Sequence, residues 1–418
     1  MLTRGIGCSP AAFNLLRSMV KQFKELSEKE GMGENVTMRR TALMIVLAAV
    51  LAPMVAGGGV SMGSAVNDVA ISADGRYAVA GTDGGMIACL RQDGSVAWDT
   101  SAGDPVTAVA VAGARGYVAA GTNAGDVILL DGASGNRYWT ERVAGPVRDL
   151  AFSGDGRSLA VGSSRVTLFD HQGKEGWNFS TGAGATVSSI AFTADGNYIA
   201  AGSDNGVIHL IGSRGNLLWQ GIAYGPVTAV DASRDGTTVA AGGRDRVLQV
   251  YGRSGGLPWV VQAGAPILAL ALPADGRFVI IGKQGGDLDC YRPREGLIWQ
   301  NHTESDVLAV DVSEQGEVVA AGTAGGTLRL LSGDGGVLWS FDAGAPVTSV
   351  ALSANGGYIA AGAGERVFVF RTADVPVEIT TTPAEKATPA ATPTRAAGAG
   401  ALIGAGAVAV AGGWLRRR

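Results

Sequence analysis

The sequence predicts an all-β protein built as an eight-bladed β-propeller, and three observations carry this prediction. A segment of about 40 residues recurs eight times, which is the period of a four-stranded propeller blade. Each copy holds short apolar runs separated by Gly-rich turns, and the chain contains 65 Gly in 418 residues. A Trp closes seven of the eight copies. A seven-bladed ring is the alternative.

The copies align by a first strand that begins with Val or Ile. The eight strand starts are Val66, Val106, Val147, Val187, Val227, Ile267, Val307 and Val347. Most first strands end at Asp-Gly or Asn-Gly, the dipeptides of a tight hairpin. The second strand is rich in Ala and Gly, and we expect such small side chains close to the central axis. The third strand resembles TLRLL, and the fourth carries the Trp.

The repeated Trp marks a packing position rather than a ligand site. It recurs at one place in seven copies, as a contact between neighbouring blades would and a single binding site would not. The seven residues are Trp98, Trp139, Trp177, Trp219, Trp259, Trp299 and Trp339. Counting along the eighth copy places Ile379 at the equivalent position.

Two segments compete to supply the outer strand of the eighth blade. The register of Ile379 favours the C-terminal candidate, Val375 to Thr380. The rival is an N-terminal strand, Val60 to Ala65, which would join both ends of the chain in one sheet. We expect the C-terminal strand because of its register.

The two ends of the chain predict export and membrane attachment. A basic pair followed by a short apolar run describes a signal peptide, and a terminal apolar run followed by arginines describes an anchor with its end in the cytoplasm. The predicted organisation is an extension or amphipathic helix over 1–37, a signal peptide or N-terminal anchor over 38–58, the propeller over 59–380, a Thr/Pro/Ala-rich stalk over 381–395, a transmembrane helix over 396–415 and a basic end over 416–418. The propeller is then expected on the extracellular side of the cell membrane.

The repeats resemble two families of propeller. VTSVALSANGGYIAAGAGERVFVF resembles the opening of a WD repeat, and DGGVLWSFDAGAPV resembles the PQQ-like repeat of quinoproteins. The stalk, apolar run and arginines are similar to the C-terminal sorting region of archaeal surface proteins, although the Pro-Gly-Phe tripeptide of those regions is missing. The resemblance implies a propeller fold and leaves the activity open, because propellers host unrelated functions.

The quinoprotein resemblance would also imply a quinone, a calcium site, an Asp base and adjacent cysteines. Here Cys89 and Cys290 fall in the first and sixth copies, so they are not adjacent. His171, His209 and His302 lie in three different copies and predict no catalytic triad. The net charge of −4 gives no basic footprint for nucleic acid. The sequence lines its strands with Ala, Val, Gly and Ser, so we expect no cluster of titratable groups around the central channel. We therefore predict no cofactor, no metal and no catalytic residue.

The most informative positions are those where the copies disagree. They fall in the loops after the second strand and in those between blades, which should share one face of the propeller. Loops on a rigid scaffold are a common place for binding residues. The candidate partner-binding residues are Asp83, Asn123, Asp204, Tyr224, Arg244, Lys283, Asp306 and Glu365.

The function predicted from the sequence is that of a non-enzymatic binding or scaffold module at the cell surface, with a protein, peptide or glycan as partner. A quinone-dependent dehydrogenase or another propeller enzyme is one alternative. A scaffold for the assembly of envelope proteins is the other.

Overall fold

The structure is a computed structural model that describes residues 59–113, 115–374 and 385–386. The predicted extension, signal segment, transmembrane helix and basic end lie outside these residues, as does the stalk apart from Glu385 and Lys386. None of the helical structure in the described ranges has the length and apolar character needed to cross a membrane.

Eight antiparallel sheets form a closed ring, which confirms the eight-bladed β-propeller. Each blade takes its strands in chain order from the axis outward. The first strands are β2 (Val66–Ile71), β6 (Val106–Ala112), β10 (Asp149–Phe152), β14 (Val187–Phe192), β18 (Val227–Ala232), β22 (Ile267–Ala271), β26 (Val307–Val312) and β30 (Val347–Leu352). The second strands are β3 (Tyr77–Thr82), β7 (Tyr117–Thr122), β11 (Ser158–Gly162), β15 (Tyr198–Ser203), β19 (Thr238–Gly243), β23 (Val279–Lys283), β27 (Val318–Thr323) and β31 (Tyr358–Ala363).

The outer half of each blade is a third strand followed by the strand that carries the Trp. The third strands are β4 (Met86–Arg91), β8 (Asp126–Asp131), β12 (Val166–Asp170), β16 (Val207–Gly212), β20 (Val247–Gly252), β24 (Asp287–Arg292), β28 (Thr327–Ser332) and β32 (Arg366–Arg371). The fourth strands are β5 (Val96–Ser101), β9 (Arg137–Arg142), β13 (Glu175–Phe179), β17 (Leu217–Ile222), β21 (Gly255–Gln262), β25 (Gly296–His302) and β29 (Val337–Asp342). A 3₁₀ turn (Thr372–Asp374) follows β32.

The outer strand of the eighth blade comes from the N-terminal side. Strand β1 (Val60–Ser61) pairs antiparallel with β32, with Val60 opposite Val367 and Ser61 opposite Arg366. Met62 extends this contact by donating its backbone N–H to the Glu365 carbonyl, 2.8 Å away. The expectation of a C-terminal closing strand was therefore wrong, because the edge of β32 is already paired with β1. Val375 to Thr380 lie outside the described residues.

The second strands are rich in Ala and Gly for a different reason from the one expected. The first strands are innermost, since each contacts the first strands of both neighbouring blades. A Cβ on Gly202 of β15 would lie 2.5 Å from Cγ1 of Val227, the first residue of β18 in the next blade. The small residues therefore make room for the valines of the neighbouring blade.

The Trp residues lie between blades. The Trp98 indole N–H donates to the Gly132 carbonyl of the second blade at 2.9 Å, and its ring covers Gly135, where φ is 73°. The same hydrogen bond and the same Gly contact recur for Trp139, Trp177, Trp219 and Trp299. A side chain at such a Gly would strike the indole ring, so each turn and each Trp fit one another.

Candidate partner-binding surface

One end of the propeller, which we call the loop face, carries the loops after the second strands and the loops between blades. Aspartates tie these two sets of loops together. Asp104 accepts the Ala124 N–H at 2.7 Å, and Asp306 accepts the Gly285 N–H at 2.8 Å. Asp204 accepts the Thr186 N–H at 2.8 Å. The predicted candidates Asp204 and Asp306 therefore shape the loops in addition to any contact with a partner.

The predicted candidates differ widely in exposure. Tyr224 is 89% exposed. Asp306 is half-buried, and Lys283 is only 4% exposed. The exposed remainder comprises Asp83, Asn123, Asp204, Arg244 and Glu365. These residues are distributed around the ring, so the structure does not bring all eight into one site.

Lys283 is part of the interior of the sixth blade, which corrects its assignment to an exposed loop. Its ammonium lies 2.7 Å from the Asp289 carboxylate and 3.3 Å from that of Asp287. Tyr291 and Gln300 donate to Asp289 at 3.0 and 2.9 Å. Asp289 lies on the next strand and is 1% exposed, and no local sequence pattern links it to Lys283.

Exposed apolar side chains concentrate at the junction of the fourth and fifth blades. Five of the seven large hydrophobic residues exposed in the described part of the chain lie there, and Ile222 is 69% exposed. We call this set the junction patch: Leu217, Leu218, Ile222, Tyr224 and Val260. A concentration of exposed apolar residues at one place marks interaction sites on soluble proteins.

Two arginines of the fifth blade border the junction patch. Arg244 and Arg246 are exposed, and neither side chain is bonded to a residue that the structure describes. Between them, Asp245 accepts the Tyr224 N–H at 3.0 Å and so holds this loop beside the patch. Tyr and Arg dominate binding hot spots, because each combines a large contact area with directional polar groups.

Arg246 also has an unusual backbone conformation. Its φ is 66°, in the left-handed region, where the equivalent turns of other blades have glycines such as Gly206 (φ 82°) and Gly326 (φ 91°). Non-Gly residues at such angles carry strain and cluster at functional sites. The strained residue directly follows Asp245, whose carboxylate holds the loop of Tyr224.

Four aspartates lie on the first strands, contrary to the expectation of an axis without titratable groups. Asp68, Asp149, Asp231 and Asp311 belong to alternate blades, and each accepts the N–H of the next residue and an N–H of the following blade. For Asp231 the two donors are Ala232 and Leu272, both at 2.7 Å. Other copies have Ala or Ser at the same strand positions, so no repeated pattern in the sequence indicates these carboxylates.

Burial and mutual repulsion raise the pKa of these carboxyl groups. Burial raises the pKa of Asp149 and Asp231 to about 7 and that of Asp68 and Asp311 to about 6. The charge of Asp68 raises the pKa of Asp149 further, and Asp311 acts in the same way on Asp231. The N–H donors oppose this effect, and all four residues keep partial contact with solvent. These carboxyl groups join neighbouring blades, and their raised pKa values predict that the joining contacts depend on pH.

The quinone of the quinoprotein repeat does not fit these residues. Cys89 and Cys290 occupy the same register position in the first and sixth blades, opposite Trp98 and Trp299. Both are buried in the core, and burial raises the pKa of each thiol to about 12. No group of three His, Cys, Asp or Glu within the described ranges is placed to hold a metal ion.

The fold and the surface define a closed propeller of repeated blades, in which exposed apolar residues concentrate at the junction of the fourth and fifth blades. The sequence matches the PQQ_2 family, described as outer membrane protein assembly factor BamB, over residues 56–164 and 162–321. The chain belongs to this family. No curated protein matches it.

Solved structures with this fold come from several sources. Sqt1 of Chaetomium thermophilum, bound to the N-terminus of the ribosomal protein L10, has a TM-score of 0.66 and 16% identity, covering 75% of this chain and 100% of Sqt1. The computationally designed protein Ika8 has a TM-score of 0.64 and 20% identity, covering 74% and 97%. The Cps50 (Swd1) β-propeller domain of Myceliophteria thermophila has a TM-score of 0.54 and 17% identity, covering 62% and 93%. At these identities the similarity concerns the fold alone.

Proposed function

We propose that this protein is a non-enzymatic binding module that recognises a protein partner through the junction patch and the two adjacent arginines. The observation that carries the proposal is the concentration of exposed Tyr, Ile and Leu beside Arg244 and Arg246 at a single junction of an otherwise repetitive ring. A repeat scaffold gains specificity where one repeat departs from the rest, and this junction departs most.

The comparisons support a protein as the partner. The propeller of Sqt1 is bound to a segment of a ribosomal protein, so a propeller of this fold can hold a protein terminus. The family description favours one version of the function, a scaffold in the assembly of envelope proteins. The buried positions of Cys89 and Cys290 argue against the alternative of a quinone-dependent dehydrogenase.

The proposal places the propeller outside the cell. Residues 38–58 would direct export, and residues 396–415 would hold the chain in the membrane through the stalk. N-terminal sequencing of the mature protein is expected to give a start near Gly57, and protease added to intact cells should digest the propeller. A mature chain that begins at Met1 and resists the protease would overturn this placement.

Site-specific photocrosslinking of the full chain tests the binding function. A photoreactive residue replaces Tyr224, and a matched one replaces Tyr138, which is 54% exposed on the outer strand of the second blade. We expect a crosslinked protein at position 224 that disappears when Arg244 and Arg246 are both changed to Glu. Equal crosslinking at both positions, or crosslinking unaffected by the charge reversal, would contradict the proposal.

A further inference from the structure

The Trp-bearing strands are the outermost of the four repeated strands in their blades, and the charge of their side chains divides them into two groups. Charged side chains on an edge prevent another strand from pairing with it. Four of the seven Trp-bearing strands carry such residues: β5 with Asp99, β9 with Arg137, Glu141 and Arg142, β13 with Glu175, and β29 with Asp342. Strands β17, β21 and β25 contain no Asp, Glu, Lys or Arg.

One of the three uncharged edges already carries an added strand. Strand β33 (Glu385–Lys386) pairs antiparallel with β25, with Lys386 opposite Trp299 and Glu385 opposite Gln300. The sixth blade thus has five strands. The edge at Trp299-Gln300 is therefore competent to accept an extended segment through its backbone.

Of the other two uncharged edges, only one contains a proline. Strand β21 contains Pro258, which lacks an N–H and protects an edge from pairing. Strand β17 has the sequence LLWQGI, without proline, and its Trp219-Gln220 repeats the Trp-Gln pair that supports β33 in the sixth blade. Among the described residues, β17 pairs only with β16. It is the edge that matches the occupied one and has no partner strand itself.

Unpaired arginines flank the β17 edge at both ends. Arg214 lies in the turn that precedes the strand, and Arg244 and Arg246 lie beside the loop that follows it. All three are exposed and make no ion pair with a described residue. A strand with apolar residues in its centre and an acidic residue at each end would complement this edge, whereas a second copy of β17 would bring like charges together.

We propose that the partner binds by adding an extended segment, apolar in its centre and acidic at both ends, as a fifth strand on β17. This proposal rests on the proposed function and specifies its mode of binding. Backbone hydrogen bonds would supply the pairing, while pockets and flanking charges would supply specificity, as in other cases of strand addition. Strand β17 has six residues, and alternate ones direct their N–H and C=O groups to the free edge.

A capped synthetic peptide, Glu-Val-Thr-Val-Thr-Val-Thr-Glu, is the probe. Binding to the full-length protein is measured by calorimetry, and amide hydrogen exchange is followed across β17. We expect saturable binding with slower exchange confined to β17. Methylation of alternate backbone nitrogens in the peptide should abolish binding, and Gln in place of both Glu residues should weaken it at low salt. Binding that survives the methylation would overturn strand addition.

Pro258 of blade 5 indicates a substitution that should block the β17 edge. Leu218 occupies the position of Pro258, and it is the bulged residue of β17, without a pairing partner on β16. Leu218→Pro therefore copies a residue that the fold already accepts and should weaken peptide binding by about tenfold or more. Leu218→Ala is the matched control for the lost side chain. Equal binding by the two variants would overturn the proposal.

The two proposals can fail separately. Crosslinking at position 224 that persists in Leu218→Pro, together with no peptide binding, would refute strand addition and leave the binding function standing. Peptide binding on β17 without any crosslink at position 224 would support strand addition and refute the contact with Tyr224 that the proposed function requires.

Discussion

Blades 4 and 6 place polar side chains at the same two interior positions, yet only blade 6 satisfies them. Lys283 and Asp289 form an ion pair there, with Tyr291 and Gln300 as further partners. The equivalent residues of blade 4 are Ser203 and His209, by the matched registers of their strands. Ser203 Oγ and His209 Nδ1 are buried, and no described atom forms a hydrogen bond with either. The repeated backbone fixes where side chains lie, while each blade supplies its own chemistry.

Removing one member of the blade 6 pair should have the largest effect on stability. Lys283→Ala leaves the buried Asp289 without its cation, and the free energy of unfolding should fall by about 3–5 kcal/mol. Chemical denaturation measures this loss. The double variant Lys283→Met, Asp289→Leu should recover much of it, because both charges are then absent. A single variant as stable as the natural protein would refute the importance of the pair.

The loss of stability caused by replacing a Trp should increase with the burial of its ring. Trp299, in blade 6, is 2% exposed, whereas Trp219 in blade 4 is only half-buried. Trp299→Ala should cost about 3–5 kcal/mol, and Trp219→Ala should cost clearly less. Denaturation midpoints of the two variants, measured side by side, test the ranking. The reverse order would show that the contact with the next blade, rather than burial of the ring, sets the cost.

The aspartates of the axis should make stability depend on pH. Their pKa values lie near 6 to 7 in the folded protein and near 4 in an unfolded chain, so the folded state binds protons more tightly. Their stabilising contribution is full below about pH 4 and is lost as the pH rises through 7. Between pH 5 and pH 8 the free energy of unfolding should fall by about 1–3 kcal/mol for each of these carboxyl groups. Asp231→Asn should flatten this profile, whereas Asp83→Asn, on the exposed loop face, should not.

The smallest effect is expected in blade 4. His209 is buried against Phe179, with ring centroids 5.2 Å apart, and burial lowers its pKa. Ser203→Ala removes a hydroxyl without a hydrogen-bond partner, so stability should stay the same or rise by up to about 1 kcal/mol. Thr323→Ala in blade 7 is the control, because Thr323 Oγ1 accepts the Thr327 N–H at 3.0 Å. Equal losses of stability in the two variants would mean that the Ser203 hydroxyl does form a hydrogen bond.

The repeat made the ring and its blade number predictable, because strand spacing and turn residues recur eight times. The closing strand was not predictable by the same route. Ile379 matched the repeat in register, but β1 pairs with the edge of β32 from the other end of the chain. The burial of Lys283 depends on Asp289 of a neighbouring strand, which a comparison of loops does not consider.

The binding surface was predicted in part. Tyr224 and Arg244 stood out as departures from the repeat, and the structure places them beside each other through Asp245. Ile222 and Leu218 were not predicted, because they lie on a Trp-bearing strand and these strands were compared only for the Trp that they share. One sequence signal could have revealed them. LLWQGI contains no charged residue, whereas the equivalent strand of the second blade, RYWTER, contains three.

The pairing of β1 with β32 also sets an order of events during synthesis. The ribosome makes β1 before any blade and β32 only after seven blades are complete, so the first strand waits for the last. Contacts between such distant segments form late, because the intervening chain must be ordered first. A chain interrupted before Arg366 would leave both β1 and β31 of the eighth blade without their partner strand β32. The ring can therefore close only after all eight blades have been translated.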